Sequence, residues 1–235
     1  MPTPSANPTP PKSSSPSAHA TSTWLQPLGL ARNQESWTYC LTNGHQFPVS
    51  VTQLIGSITK TDKQIEAIMA TRNTWEPRGN TTHRALEVMV NQRWNPNPPP
   101  DLTPPPLGDY ADWIEPLLAH PLWDHVTVIG SEVMAYSLRR NVAGTADLVL
   151  QFPDGTYGIA DLKTQSSKTS QPYDTKPQLG AGVEMIGDHY SLLFSRCLTL
   201  WSRPGSLTIQ THTADECLAA WLDVCEQYTA RFRPW

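Results

Sequence analysis

The sequence predicts an α/β (α+β) fold: a central mixed sheet with an antiparallel meander, flanked by helices and preceded by an N-terminal helical extension. Apolar residues recur at helical spacing between residues 51 and 93, as on the buried face of a helix. Short apolar runs separated by turn residues follow from 126 to 163, which indicates antiparallel strands. The chain of 235 residues is long enough to bury one sizeable core.

The region before the sheet is predicted to hold four helical segments. They start near Val51 and Asp62 and cover residues 82–93 and 110–118. The third segment follows Asn80 and Thr81, either of which is a suitable N-cap. A proline-rich stretch over 95–106 is expected to form a surface loop, because proline lacks the backbone donor that helices and central strands need.

The second half of the chain is predicted to consist mainly of strands. They are expected near 126–130, 132–141, 145–152, 157–163, 192–201 and 207–212. Pro177 suits the first turn of an intervening helix. Thr213 and Glu216 have the spacing of a capping box, so a closing helix is expected directly after them.

Composition divides the chain into a tail and one domain. Residues 1–35 begin with a stretch rich in Pro, Ser and Thr that has too little apolar surface to fold, so a disordered tail is expected. Residues 36–235 are expected to form the domain, with a helical extension over about 48–125 and a catalytic core over about 126–232. The four cysteines show no Cys-x-x-Cys spacing and are expected to be reduced core thiols.

The cellular location is predicted from two features that the sequence lacks. No apolar run reaches the roughly 18 residues that a membrane helix needs. The tail has no apolar stretch of the kind found in secretory signals. We therefore expect a cytoplasmic protein without membrane contact.

The most informative feature is a predicted hairpin that carries two aspartates and a lysine. Asp147 precedes an apolar run, a Pro-Asp-Gly-Thr turn follows, and a second apolar run leads to Asp161. Antiparallel pairing brings the two carboxylates together, where they repel each other unless a cation lies between them. Lys163 is expected on the same side of its strand as Asp161, because side chains alternate. Carboxylates beside an ammonium group suit Mg²⁺ or Mn²⁺ and phosphodiester hydrolysis.

The formal net charge of −4 weakens a nucleic-acid interpretation without excluding it. A site built from carboxylates is itself acidic, and a local groove of cations can still bind phosphates. The candidates for such a groove are Arg78, Arg84, Arg93, Arg139, Arg140, Lys168 and Lys176. Most of them are expected to be ordinary solvated charges, and those beside the motifs have the stronger claim.

Four blocks, in this order, carry a resemblance to a known family. They begin at Pro48, Arg78, Gly144 and Gln178, and they read PVSVTQLI, RGNTTHRALE, GTAD followed by DLKT, and QLGA. Together they resemble the PD-(D/E)XK nucleases of the RecB-like branch, in particular the mitochondrial genome maintenance exonuclease and its bacterial and phage relatives. The resemblance covers residues 48 to 232 and implies a restriction-endonuclease-like PD-(D/E)XK core.

The resemblance also implies roles for individual residues. The metal ligands would be His83, Asp147, Asp161 and the carbonyl oxygen of Leu162. Lys163 would orient or activate the attacking water and stabilise the phosphate, Gln178 would position the lysine or the phosphate, and Glu132 would support the site. The family often has tyrosine four residues after the glutamine, where this chain has Gly182.

Each of these residues also has a structural interpretation. His83 could be a satisfied polar residue on a helix, Glu132 an exposed residue at a strand end and Gln178 a polar residue in a first helical turn. Our hypothesis is a Mg²⁺- or Mn²⁺-dependent exonuclease on single-stranded DNA, acting in replication, recombination or repair, or in phage DNA processing. The preference for single strands and free ends follows from the resemblance alone. The alternatives are a structure-selective endonuclease on the same fold and a catalytically weak DNA-binding subunit.

Overall fold

The computed structural model describes residues 23–33 and 36–232. A small antiparallel sheet comes first, with strands β1 (Leu30–Arg32), β2 (Tyr39–Leu41) and β3 (Gln46–Phe47). Most of the predicted tail, residues 1–22 and 34–35, lies outside the described residues. Strand β1 falls within the range predicted as tail, however, so the folded region begins earlier than the sequence indicated. Its Leu30 packs with Tyr39 and Phe47 in a small apolar cluster of its own.

The helices before the main sheet follow as α1 (Val51–Thr59), α2 (Asp62–Ala70), α3 (Arg72–Trp94) and α4 (Ala111–Leu118). Helices α1 and α2 each begin with a full capping box, at Ser50 and at Thr61. Short 3₁₀ turns over Gly108–Tyr110 and Pro121–Asp124 flank α4. Among the described residues, no helix is long and apolar enough to cross a membrane.

Helix α3 begins ten residues before the predicted start at residue 82. Asn80 and Thr81 therefore lie inside the helix, and neither is its N-cap. Pro77 sits in the second turn, where proline removes one helical donor and leaves only one carbonyl without its usual partner. A two-point ion pair between Arg72 and Glu76 spans the first turn and helps to hold it.

The main sheet has six strands: β4 (Val49–Ser50), β5 (Thr127–Ser137), β6 (Val142–Gln151), β7 (Tyr157–Thr164), β8 (Phe194–Arg203) and β9 (Ser206–Thr213). Strand β5 pairs antiparallel with the whole of β6. On the other side of β6, β4 runs parallel to its first residues and β7 antiparallel to its last four. The parallel pair β7–β8 and the antiparallel pair β8–β9 complete the sheet. The predicted mixed α/β class with an antiparallel meander is confirmed.

Strand β5 corrects another prediction. The sequence indicated two strands, over 126–130 and 132–141, whereas the chain forms one strand over Thr127–Ser137. The pairing register shifts between Val128 and Gly130, and Glu132 has a left-handed backbone with φ of 50°. These irregularities lie where the alternating sequence pattern is interrupted.

Helices cover both faces of the sheet, and the strand residues alternate between them. Helix α5 (Lys176–Tyr190) and helix α6 (Ala214–Phe232) pack with α1 on the face that holds Val149 and Ile159. Helices α3 and α4 cover the opposite face, which holds Leu148, Leu150 and Leu162. Because apolar side chains point both ways, the sheet is a buried layer between two cores.

The three cysteines Cys197, Cys217 and Cys225 are buried, Cys40 is half-buried, and all four are free thiols. Burial raises the pKa of Cys225 to about 12. The predicted place of the cysteines in the core is confirmed for these three positions.

Candidate metal centre

The candidate site forms where strands β6 and β7 separate. Their pairing ends at Leu148 opposite Ala160, so Asp147 and Asp161 are the first residues beyond the paired segment. The carboxylate of Asp147 reaches across the gap and accepts a hydrogen bond of 2.6 Å from the backbone N–H of Leu162. The Pro-Asp-Gly-Thr turn closes the hairpin, with Gly155 at φ of 83°. The hairpin and the meeting of its two aspartate ends are confirmed.

His83 reaches this gap from the middle of helix α3. Its Nε2 lies 3.1 Å from the carbonyl oxygen of Leu162. Its Nδ1 faces two carboxylates, 3.6 Å from Asp147 Oδ2 and 3.7 Å from Glu132 Oε1. The imidazole is half-buried between the helix and the strand ends.

Glu132 completes a group of three ligand atoms. One atom each from His83, Glu132 and Asp147 lies within 4.8 Å of the others. Glu132 is directed to this group from β5, with a backbone conformation that costs a non-glycine residue about 1–2 kcal/mol. Strain of this kind is tolerated where the surrounding structure over-determines the backbone conformation. Glu132 thus belongs to the cluster itself, more centrally than the supporting role that the resemblance implied.

A second group, Asp161, Lys163 and Gln178, lies beside the first. Lys163 Nζ donates to Asp161 Oδ1 at 3.0 Å and to Gln178 Oε1 at 3.0 Å. Gln178 Nε2 donates in turn to Asp161 Oδ1 at 2.8 Å. Gln178 holds this position because it lies in the first turn of α5, which opens at Pro177 as predicted.

Asp161 is only 4% exposed, and its Oδ2 is unusual. It lies 2.9 Å from Lys163 Nζ but accepts no hydrogen bond of good geometry from any described residue. A buried carboxylate oxygen without such a bond is costly. Asp161, which was also expected to be a metal ligand, lies outside the group of three ligand residues. Its Oδ1 accepts from Lys163 and Gln178, and its Oδ2 keeps free acceptor capacity.

The electrostatics of the site reflect three crowded carboxylates. Burial alone would lower the pKa of His83, but Asp147 and Glu132 outweigh it and raise that pKa to about 9. Burial, reinforced by Asp147, raises the pKa of Asp161 to about 6 against the opposing charge of Lys163. Burial also raises the pKa of Asp147, which His83 opposes. The site thus stores unfavourable negative charge, which a cation would relieve.

The donor set fits a hard divalent cation. Two or three carboxylates supply the oxygen ligands that Mn²⁺ and Mg²⁺ prefer in proteins, and the imidazole adds one nitrogen ligand beside them. The chain brings His83 and Asp147 together, as the resemblance implied, and it adds Glu132. The Leu162 carbonyl lies instead at Nε2, the imidazole nitrogen on the other side of the ring from the two carboxylates. Together with the unsatisfied oxygen of Asp161, this donor set gives a physical reason to expect a metal here.

The glycine at position 182 has a packing role. A Cβ atom at Gly182 would lie 3.2 Å from Ile159 Cγ2 and 3.7 Å from Ala146 Cβ, so α5 crosses the sheet closely at this point. A tyrosine ring has no room there. Tyr173 is an aromatic residue close enough to Lys163 for an electrostatic interaction. Its ring is exposed and stands edge-on to Trp201.

An open groove of about 840 Å³ runs past the His83–Glu132–Asp147 cluster. Helix α3 forms one wall, and the small sheet forms the other. Its lining includes His83, Glu132, Asn80, Arg84, Arg32 and Trp37. The second wall was not predicted from the sequence, because strands of two or three residues leave no periodic signal and part of them lay in the predicted tail.

Comparisons with known proteins assign no family to the chain. No protein-family model matches it, and no curated protein matches it. Among solved structures, the crystal structure of SSO0001 has a TM-score of 0.43 and 13% sequence identity, over 76% of this chain and 75% of that chain. A similarity at this level bears on neither the family nor the activity.

Proposed function

We propose that this chain is a Mg²⁺- or Mn²⁺-dependent deoxyribonuclease that hydrolyses phosphodiester bonds. The observation that carries the proposal is that two groups of side chains lie close enough to interact electrostatically. The His83–Glu132–Asp147 cluster could hold a cation, and the Asp161–Lys163–Gln178 network presents an ammonium group beside it. A cation site next to a fixed ammonium group suits a reaction in which negative charge develops on a phosphate.

The proposal includes a restriction-endonuclease-like PD-(D/E)XK core. Three features support it: a carboxylate at the start of a hairpin, a carboxylate and a lysine two residues apart on its second strand, and a glutamine in the next helix. Sequence resemblance predicted these residues, and hydrogen bonds join Asp161, Lys163 and Gln178, as a positioning role of Gln178 requires. Gly182 replaces a tyrosine that the family often has, but the two aspartates, the lysine and the glutamine are all present.

Each residue would have a separate role in such a site. His83, Glu132 and Asp147 would hold the metal on the Nδ1 side of the imidazole, while the Leu162 carbonyl contacts Nε2 and orients the ring. A bound divalent cation would supply the charge that activates water and neutralises the phosphate. Lys163 supplies a second positive charge, and its bonds to Asp161 and Gln178 fix its direction before substrate arrives. Gln178 acts as a positioning residue through the lysine.

We further propose an exonuclease on single-stranded DNA, which the family resemblance supports. Helices α1 to α3 lie between β4 and β5 in the chain and could form the arch over the site through which the nucleases of the resemblance thread a strand. The groove beside His83 is open to a strand. Replication, recombination, repair and phage DNA processing are the settings in which such an enzyme would act. An endonuclease would use the same residues and differ in accepting a strand without an end.

The test is cleavage of matched substrates with Mn²⁺ or Mg²⁺. Linear single strands labelled at either end, a duplex and a circular single strand are compared for the wild type and for Lys163→Met. Lys60→Met is the control, since Lys60 is an exposed lysine at the end of α1. We expect cleavage of linear strands alone, loss of activity in Lys163→Met and full activity in Lys60→Met.

Other outcomes would redirect or refute the proposal. Cleavage of the circle would identify an endonuclease. Binding of DNA without cleavage by the wild type would identify a binding subunit. Equal cleavage by the wild type and Lys163→Met would refute the assigned chemistry.

A further inference from the structure

The cations that the sequence offered as phosphate ligands differ in their surroundings. Four of them form ion pairs: Arg84 with Glu87, Arg93 with Asp124, and both Arg139 and Arg140 with Glu184. Arg78 differs from them, because it is only 7% exposed and forms no ion pair with a carboxylate among the described residues. A buried charge without a counter-ion is unfavourable, so its presence needs an explanation.

Arg78 is held firmly but keeps free donors. Its Nε donates to Thr164 Oγ1 at 3.3 Å, and its guanidinium lies 5.4 Å over the ring of Trp113. Trp113 is itself anchored by a hydrogen bond of 2.8 Å to the carbonyl of Gln165. Asp161 Oδ2 is the one fully buried side-chain polar atom that lacks a hydrogen bond in the described chain. The terminal nitrogens of Arg78, which donate to no described residue, must therefore reach solvent.

Arg203 is a buried arginine with a structural role, and it provides a comparison for Arg78. It is 8% exposed, and all three of its nitrogens donate: to Gln165, to Thr208 and to the carbonyl of Ser170. Those bonds fasten the loop after β7. The side chain of Arg78 makes only one hydrogen bond, so a structural role like that of Arg203 does not explain why a charged residue is buried at position 78.

The position of Arg78 relates it to the candidate site. Thr164, its hydrogen-bond partner, directly follows Lys163 on β7. Arg78 also precedes His83 by five residues on α3, which places the two side chains about 7.5 Å apart along the helix axis and about 140° apart around it. Arg78 therefore lies beside the groove at His83 and is not part of its lining.

We propose that Arg78 binds a backbone phosphate of the substrate strand beside the groove, other than the phosphate that is hydrolysed. This inference rests on the proposed nuclease function and names a contact that the function does not itself require. The planar guanidinium, already oriented by Trp113 and Thr164, presents two free nitrogens to one phosphate. In the free protein the missing counter-ion costs stability, and the strand supplies it.

The test measures binding of a fluorescent oligodeoxythymidylate, with Ca²⁺ as the cation so that the strand stays intact. Affinity is followed between about 50 and 200 mM salt, where each single-strand phosphate contact contributes about −0.7 to the slope of log K against log salt. Arg78→Met is expected to bind the strand roughly tenfold to a hundredfold more weakly. Its slope of log K against log salt should be shallower by about 0.7, the contribution of one phosphate contact. Arg78→Lys should retain the slope, and Arg93→Met, altered on the same helix, should match the wild type.

A thermal melt of the free proteins separates binding from structure. Removing an unpaired buried cation should leave the melting temperature of Arg78→Met unchanged or higher, whereas loss of a structural fastener would lower it. Should Arg78→Met fold poorly, Arg78→Gln, which can still bond to Thr164, replaces it in both measurements. An unchanged salt slope in a folded Arg78 variant, with a wild type that cleaves DNA, would overturn this inference alone. A wild type that neither binds nor cleaves would overturn the proposed function as well.

Discussion

Gly180 is the position where the packing of α5 decides both stability and the site. A Cβ atom there would overlap the carbonyl group of Cys217 on α6, lying 2.5 Å from its carbon, about 0.9 Å inside the 3.4 Å at which ordinary contact begins. The obstacle is backbone, so neither helix can relieve the overlap by a side-chain rotation. Gly180→Ala must therefore push α5 and α6 apart.

The two opposing effects have known sizes. Overpacking of a core costs about 1–3 kcal/mol, and a rigid backbone obstacle belongs at the upper end of that range. Alanine gains about 1 kcal/mol over glycine in a helix interior. We expect Gly180→Ala to lose about 2 kcal/mol of unfolding free energy, or roughly 4–8 °C in melting temperature for a domain of this size. Gln178 lies two residues earlier, so cleavage should slow as well.

Gly56 provides the matched control. It lies inside α1, and a Cβ atom added there would meet no atom within 4 Å, so Gly56→Ala should gain about 1 kcal/mol from helix propensity alone. Urea denaturation at one temperature measures both variants against the wild type. Gly180→Ala as stable as Gly56→Ala would refute the close approach of α5 and α6.

Three further predictions follow from the site and the core. Gln178→Met removes both bonds that orient Lys163 and Asp161; losing about 1.5–3 kcal/mol of charged hydrogen bonding should lower kcat roughly tenfold to a hundredfold with KM little changed. Glu132→Asn keeps an oxygen and tolerates the left-handed backbone, so we expect weaker Mn²⁺ binding, by at least about tenfold, without loss of melting temperature. A chromogenic disulfide reagent at pH 8 should react quickly with Cys40 and with the buried thiols only after denaturation.

Each of these three predictions has a contradicting result. A Gln178→Met protein with wild-type kcat would remove the positioning role. Unchanged Mn²⁺ affinity in Glu132→Asn would exclude Glu132 from the cluster. Rapid reaction of two or more thiols in the folded protein would contradict the burial of the cysteines.

Local signals allowed much of the fold to be predicted. The hairpin between β6 and β7 has an Asp-Gly turn between apolar runs, and the last helix has its capping box from Thr213 to Glu216, confirmed by reciprocal hydrogen bonds. In both places the residues that define the element are neighbours in sequence. The start of α3 was missed because Pro77 and Gly79 read as helix breakers, while packing and the Arg72–Glu76 pair sustain the helix.

The site was predictable as a set of residues and less so as a geometry. Asp147, Asp161 and Lys163 follow from strand alternation and hairpin pairing, which sequence spacing determines. The central place of Glu132 depends on a left-handed backbone inside a strand, which propensity does not predict for glutamate. The bonds from Gln178 that turn Asp161 towards Lys163 depend on how α5 docks, and that docking is set by tertiary contacts at Gly180 and Gly182.

Binding of one divalent cation at the His83–Glu132–Asp147 cluster is the central claim. Mn²⁺ titration followed by electron paramagnetic resonance measures it directly, because free and bound ions give distinct signal intensities. We predict one tight site per chain, strongly weakened in Asp147→Asn and unchanged in Asp124→Asn, which alters an exposed carboxylate paired with Arg93. Tight Mn²⁺ binding that survives in Asp147→Asn, or none in the wild type, would contradict the central claim.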